Sequence, residues 1–226
     1  MRAALHRLLR LGQPAAAPSE PYEPELTAAI ERAVQPGWSC ADVGAHVGNI
    51  TETLVRLVGA QGRVVAFEAH PTNAEQLSDR FRHARTVEVV NAAVSDGTAE
   101  SIALYAGRHD NSTEWNVLGH DVAGTPTRRV LEVPAVSLDG WFSPGEPLQF
   151  VKIDVEGAEG LVLAGMRRLL REARPVLAVE FHDDDAWQAR RELLEAGYGL
   201  SRTDGSTIDP EGARVYHVIA RPAGDS

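Results

Sequence analysis

The stretch Ser39 to Thr51, S-C-A-D-V-G-A-H-V-G-N-I-T, most constrains what this chain folds into. Trp38 to Val43 is a short apolar run suited to a buried strand, and it carries Asp42 near its end. Gly44 and Gly48 bracket a tight turn, and Ile50 to Val58 continues at helical spacing. A strand, a glycine turn and a helix N-terminus make a corner where bare backbone comes close to a bound nucleotide. Gly44, Ala45, His46, Gly48 and Asn49 are the residues of that corner expected to line a cofactor.

The spacing narrows the nucleotide. A pyrophosphate cofactor calls for G-x-G-x-x-G with no anion beside its phosphates, whereas this turn reads G-x-x-x-G with a carboxylate two residues before it. Asp42 would repel a pyrophosphate but suits the cationic aminoacyl end of S-adenosylmethionine. A second acid, Glu68, ends the next apolar run, Arg63 to Phe67. An acid about 20 residues beyond the glycine turn can accept both ribose hydroxyls of an adenosine. The pair favours the methyl donor over NAD.

The chain has 226 residues, enough for one domain with a core of its own. Its formal charge of -10 argues against a protein that holds nucleic acid by neutralising phosphates. The single cysteine, Cys40, allows no internal disulfide and no cysteine-based metal site, so the cytoplasm is the expected compartment. No apolar run approaches the ~20 residues of a membrane helix. Residues 1–23 read as a short basic amphipathic helix followed by a Pro- and Ala-rich linker, and 24–226 as the catalytic domain. Composition leaves room for a homo-oligomer.

Beyond the first corner, strand and helix patterns alternate. Leu26, Ala29, Ile30 and Ala33 give a helix before the first strand. Thr72 with Glu75 suggests a capping box opening the helix after Glu68. Thr86 to Val90 reads as a third strand, with Asn91 at its end, placed either to face the adenine or to cap its own turn. Ser101 to Tyr105 and Val130 to Val136 read as strands, and residues 107–129 between them as a substrate loop, with Asn111, Ser112, Thr113 and Trp115 as candidate contacts. Phe150 to Ile153 is a buried strand, Ala158 to Arg171 one helix, Pro175 to Phe181 a strand, and Tyr198 to Arg202 and Arg214 to Ala220 the last two. The alternation implies a doubly wound α/β fold with a mostly parallel sheet, whose ligands sit beyond the carboxyl ends of the strands.

The remaining ionisable candidates fall at that edge. Lys152, the sole lysine, alternates with Asp154, while Glu180 and His182 end the following strand. If the two strands are neighbours, these four border the transfer site, with His182 or an acid as general base. Asp154, Glu180 and His182 also form a candidate set for a hard cation such as Mg²⁺. Glu159 reads as a helix-opening acid without a catalytic role, and His217 has no recognisable partner spacing.

The motifs D-V-G-A-H-V-G (Asp42 to Gly48), F-E-A-H-P (Phe67 to Pro71), N-A-A-V-S-D (Asn91 to Asp96), V-K-I-D-V-E-G-A-E (Val151 to Glu159) and V-E-F-H (Val179 to His182) occur in this order. In this the sequence resembles the FkbM-type family of S-adenosylmethionine-dependent methyltransferases. The family usually carries Asn where this chain has His46, and F-E-P where it has F-E-A. The resemblance implies a class I methyltransferase (Rossmann-like) fold: a seven-stranded sheet with its last strand antiparallel and helices on both faces. It also implies transfer to a hydroxyl of a small molecule such as a sugar or polyketide. A non-catalytic nucleotide-binding protein and an NAD-dependent oxidoreductase are the rival readings.

Overall fold

The computed structural model describes residues 23–106, 115–116 and 129–224. The expected N-terminal basic helix lies outside the described residues, as do Asn111, Ser112 and Thr113 of the expected substrate loop.

Seven strands form the main sheet: β1 (Ser39–Val43), β2 (Arg63–Phe67), β3 (Val87–Val90), β8 (Phe150–Ile153), β9 (Val176–Glu180), β10 (Tyr198–Ser201) and β11 (His217–Pro222). Their order is β10-β11-β9-β8-β1-β2-β3, and β11 alone runs against its neighbours. This is the sheet of a class I methyltransferase. The chain winds outward from β1 through β2 to β3, then returns to lay β8 on the other side of β1. Strand order therefore reverses between β1 and β8, where a crevice opens at the carboxyl ends.

Alternation along the strands feeds two cores. Ala41, Val43, Val65, Phe67, Val151, Ile153, Leu177 and Val179 pack on one face. They meet Val162 and Leu163 of α5 (Glu159–Ala164), Leu169 and Leu170 of α6 (Arg167–Glu172), Trp187 of α7 (Asp184–Gln188) and Leu193 of α8 (Arg190–Glu195). Cys40, Val64, Phe150, Ala178 and Ile219 point the other way. There they meet Leu26 and Ile30 of α1 (Pro24–Ala33) and Ile50 and Leu54 of α2 (Asn49–Val58). Each such Leu or Ile side chain contributes about 1.5–3 kcal/mol. Cys40 is a buried packing residue.

Several local expectations are corrected. The helix α3 (Pro71–Phe81) starts two residues earlier than a Thr72 cap would allow, with Pro71 at its first position and no side-chain cap, so the Thr72–Glu75 box does not form. The strands at 101–105 and 130–136 leave the main sheet. As β5 (Ser101–Ala106) and β7 (Arg129–Val136) they form a small second sheet with β4 (Ala93–Val94) and β6 (Trp115–Asn116), in the order β4-β7-β5-β6. Part of the expected 107–129 loop is thus strand: Trp115 and Asn116 pair with Ala106 and Tyr105. A short helix α4 (Leu138–Trp141), capped by Ser137, leads back toward β8.

The single helix expected over 158–171 is two, α5 and α6, broken at Gly165 and Met166. Gly165 lies against the backbone of Ser95, where an added Cβ would stand 2.0 Å from the carbonyl oxygen. Continuing the helix with a side chain there would push apart α5 and the β4 connection. Gly165→Ala is accordingly expected to lose about 1–3 kcal/mol by overpacking. Gly199→Ala, whose Cβ meets only the Arg221 oxygen at 4.0 Å, should stay within about 0.5 kcal/mol. Denaturant unfolding of both variants checks this, and equal midpoints would contradict it.

Candidate active site

The crevice between β1 and β8 is built by backbone first. Gly44 and Ala45 donate their N–H groups to the Phe67 carbonyl at 3.0 and 2.9 Å, pinning the turn after β1 to the end of β2. Gly44 adopts a φ of +78°, and a Cβ there would fall 1.8 Å from the Asp154 carbonyl oxygen. The close approach of the β1 and β8 ends therefore requires glycine. Gly48, also at positive φ, ends the turn directly before α2. Ala45 is buried in a small cluster with Ala66 and Leu77.

Glu68 stands at the mouth of this corner, 7% exposed. Its Oε2 accepts from the His46 N–H at 2.8 Å, and its Oε1 from the His70 N–H at 2.8 Å and the Asn73 amide at 3.5 Å. His46 reaches this position with a left-handed backbone, φ 50°, and its buried Nε2 has no hydrogen-bond partner among the described residues. Asn91 donates both of its bonds to the chain after β2, at the carbonyls of Glu68 (2.9 Å) and Ala69 (3.0 Å). Its amide does not cap its own turn but ties the end of β3 to the chain after β2. Asn49 opens α2 and accepts from Arg80 at 3.1 Å.

Asp42 is buried completely. Its Oδ2 accepts from Thr51 Oγ1 at 2.6 Å, and its Oδ1 lies 3.8 Å from Lys152 Nζ. Burial raises its pKa, against the pull of Lys152 and the Thr51 hydrogen bond. Asp42 thus joins the corner to the other acids. Lys152 sits opposite it in register. The ammonium donates to the Gly44 carbonyl at 3.2 Å and to Asp154 Oδ2 at 3.0 Å. Burial works against this charge, but Asp154, Asp42 and Glu180 outweigh it and hold the pKa above the ordinary lysine value. Glu180 ends β9, which pairs in parallel with β8, and burial raises its pKa.

The strand adjacency brings Lys152, Asp154, Glu180 and His182 together. His182 is not a surface cap: its side chain is 9% exposed. Its Nδ1 lies 2.9 Å from Glu159 Oε1, and its Nε2 is 3.6 Å from both Asp154 and Glu156 and 3.2 Å from Tyr216 Oη. Burial lowers its pKa, but the Glu159 bond and the charges of Glu159, Glu156 and Asp154 win and push it up to about 9.

Glu159, read from the sequence as a helix-opening acid, is fully buried and orients that imidazole. The Val155 and Gly157 N–H groups fix the same oxygen. Tyr216 and His217 were also missed. Because β11 runs antiparallel, its first residue, His217, lies opposite Glu180. Counting that register back from the last strand was the available signal.

Asp154, Glu180 and His182 place ligand-type atoms within 4.8 Å of one another. A divalent ion there would meet the Lys152 ammonium already bonded to Asp154, and His182 Nδ1 is committed to Glu159. The donor set does not fit Mg²⁺. No helix among the described residues is long and apolar enough to cross a membrane.

Among curated proteins none matches the chain. A solved methyltransferase FkbM from Methylobacillus flagellatus KT has a TM-score of 0.52 at 17% identity, with 85% of this chain covered and 49% of that one. The chain therefore spans about half the length of that relative. Fibrillarin from Aeropyrum pernix, with natively bound S-adenosyl-L-methionine, gives 0.50 at 13% identity over 87% and 74% of the two chains. A SAM-dependent O-methyltransferase from Thermotoga maritima gives 0.50 at 14% over 90% and 67%. These likenesses show the fold. The methyltransferase FkbM domain model matches residues 42–200, from the first site acid to the sixth strand of the main sheet, and the chain belongs to this family of S-adenosylmethionine-dependent methyltransferases.

Proposed function

We propose that this protein transfers the methyl group of S-adenosylmethionine to a hydroxyl oxygen of a small molecule of the sugar or polyketide type. The observation that carries the oxygen-transfer reading is His182, oriented through Nδ1 by the buried Glu159, with Nε2 beside Tyr216 Oη and Asp154, where an acceptor hydroxyl would take the place of the Tyr216 contact. That is the arrangement of a general base. As the acceptor oxygen attacks the methyl carbon, its proton passes to Nε2. The carbon–sulfur bond breaks, and its electron pair stays on sulfur. Lys152 holds the Asp154 carboxylate in place beside this step, and the reading assigns no divalent cation to it.

The cofactor contacts follow from the corner. Each Glu68 oxygen has one short backbone bond, and a carboxylate offers about four acceptor positions. One position remains on Oε2, and a vicinal diol such as an adenosine ribose would take the second on Oε1 by displacing the long 3.5 Å contact from Asn73. Gly44, Ala45, His46, Gly48 and Asn49 line the same corner, and Asn91 holds the Glu68 carbonyl rather than the adenine. Asp42 acts from beneath, through Lys152 and Thr51. The charge of -10 supports a small acceptor over a nucleic acid, and the buried lone cysteine suits a cytoplasmic setting. A homo-oligomer remains compatible with this reading.

Glu68→Gln keeps the shape of the side chain but removes its charge. Two charge-assisted bonds are worth more than neutral ones, so S-adenosylmethionine affinity should fall about ten- to a hundredfold with the fold unchanged. Equilibrium dialysis checks this, and unchanged affinity removes Glu68 from the pocket.

A base with its pKa raised to about 9 is mostly protonated at neutral pH. The single-turnover rate should therefore climb tenfold per pH unit and level off near pH 9. Glu159→Gln removes the main favourable partner of the imidazolium, so the break should move to lower pH while the plateau rate falls. His182→Ala should cost about a hundredfold. A flat profile in the wild type would remove His182 as the base.

A further inference from the structure

A second histidine cluster lies beside the transfer machinery. His217 Nε2 stands 3.5 Å from Glu23 Oε2 and 3.6 Å from Glu180 Oε2. One ligand-type atom from each residue falls within 4.8 Å of the others. Three separate parts of the chain meet here: the residue before α1, the end of β9 and the start of β11.

The separations carry information. A well-formed N–H···O bond spans about 2.7–3.2 Å. Ligand atoms around a tetrahedral zinc ion, with bonds of about 2.0–2.2 Å, lie about 3.3–3.6 Å apart. The observed distances fall with the second group. In addition, Glu23 Oε2, Glu180 Oε1 and His217 Nε2 are buried without a hydrogen-bond partner among the described residues. Glu180 is only 2% exposed, so bulk water does not serve its unpartnered oxygen. Buried polar atoms in folded proteins are nearly always paired, and the two orphans that face each other, Glu23 Oε2 and His217 Nε2, point to a missing electrophile beside Glu180, whose Oε2 lies next to His217 while its Oε1 is the third unpartnered atom.

We propose that Glu23, Glu180 and His217 bind one divalent transition-metal ion of the zinc type, tying the start of α1 to the edge of the sheet. One imidazole and two carboxylates suit zinc, whereas Mg²⁺ prefers oxygen ligands alone. The two carboxylates balance the ion's charge. This cluster lacks the ammonium contact that disqualifies the Asp154 group, where Lys152 lies 3.0 Å from the carboxylate. His217 also lines a cleft of about 490 Å³ with Glu25, Arg32, Arg202 and Tyr216, which supplies a path for the ion and room for a water as fourth ligand. The site shares Glu180 with the strand edge of the methyl-transfer reading, but Glu23 and His217 have no role there, so those two residues carry the test.

The test titrates the chelator-stripped full chain with Zn²⁺ against a chromophoric chelator. One equivalent should bind with micromolar or tighter affinity, and Zn²⁺ should raise the unfolding temperature. His217→Ala and Glu23→Ala should each weaken binding at least tenfold, while His182→Asn should leave it unchanged. Glu23 lies at the periphery before α1, so its variant folds even if the His217 variant does not. No stoichiometric binding overturns the proposal. Binding that survives both variants does so too, as does binding lost only in His182→Asn, which would place the ion at the other group.

Discussion

One buried ammonium holds the working edge of this protein together. Lys152 lies among Asp42, Asp154 and Glu180, contributed by three adjacent strands, and it also binds the Gly44 carbonyl of the glycine turn. Taking out one member of such a set leaves an uncompensated buried charge, which costs about 3–5 kcal/mol. The cost explains why the charges come as a set. Lysine suits the place because its compact head carries three donors that reach in different directions, where a planar guanidinium would fix them in one fork. The only lysine in the chain is at this position.

From this centre the two halves of the site follow. On the β1 side, Asp42 joins the ammonium to Thr51 in α2, and the glycine turn is pinned to the end of β2, bringing His46 onto Glu68. On the β9 side, parallel pairing carries Glu180 and His182 to the same edge, where α5 begins with Glu159. The reversal of strand order between β1 and β8 opens the crevice between these halves. The two halves are separate walls built on one sheet.

Much of this was legible in the sequence because the signals are local. Asp42, the two glycines and Glu68 are close in the chain, and the strand alternation that aligns Lys152 with Asp154 needs only adjacent residues. The seven-stranded sheet and its antiparallel last strand came from the family resemblance of the quoted motifs. Contacts made by folding were harder to read. Glu159 looked like an ordinary helix-opening acid because its partner, His182, stands 23 residues on. The break at Gly165 depends on the Ser95 carbonyl, far away in sequence. The Thr72–Glu75 pattern was present, yet Pro71 at the first helical position fixed a different start. Asn91 bonds the Glu68 and Ala69 carbonyls, 23 and 22 residues back in the chain, a pairing that its own neighbours in sequence do not signal.

The most direct test of the account is calorimetric titration of the wild-type chain with S-adenosylmethionine and with its demethylated product, with and without Mg²⁺. The account predicts one site per chain for both compounds, micromolar affinity, and no change on adding Mg²⁺. Absence of binding to either compound, repeated in the presence of pooled hydroxylated acceptors, would contradict it.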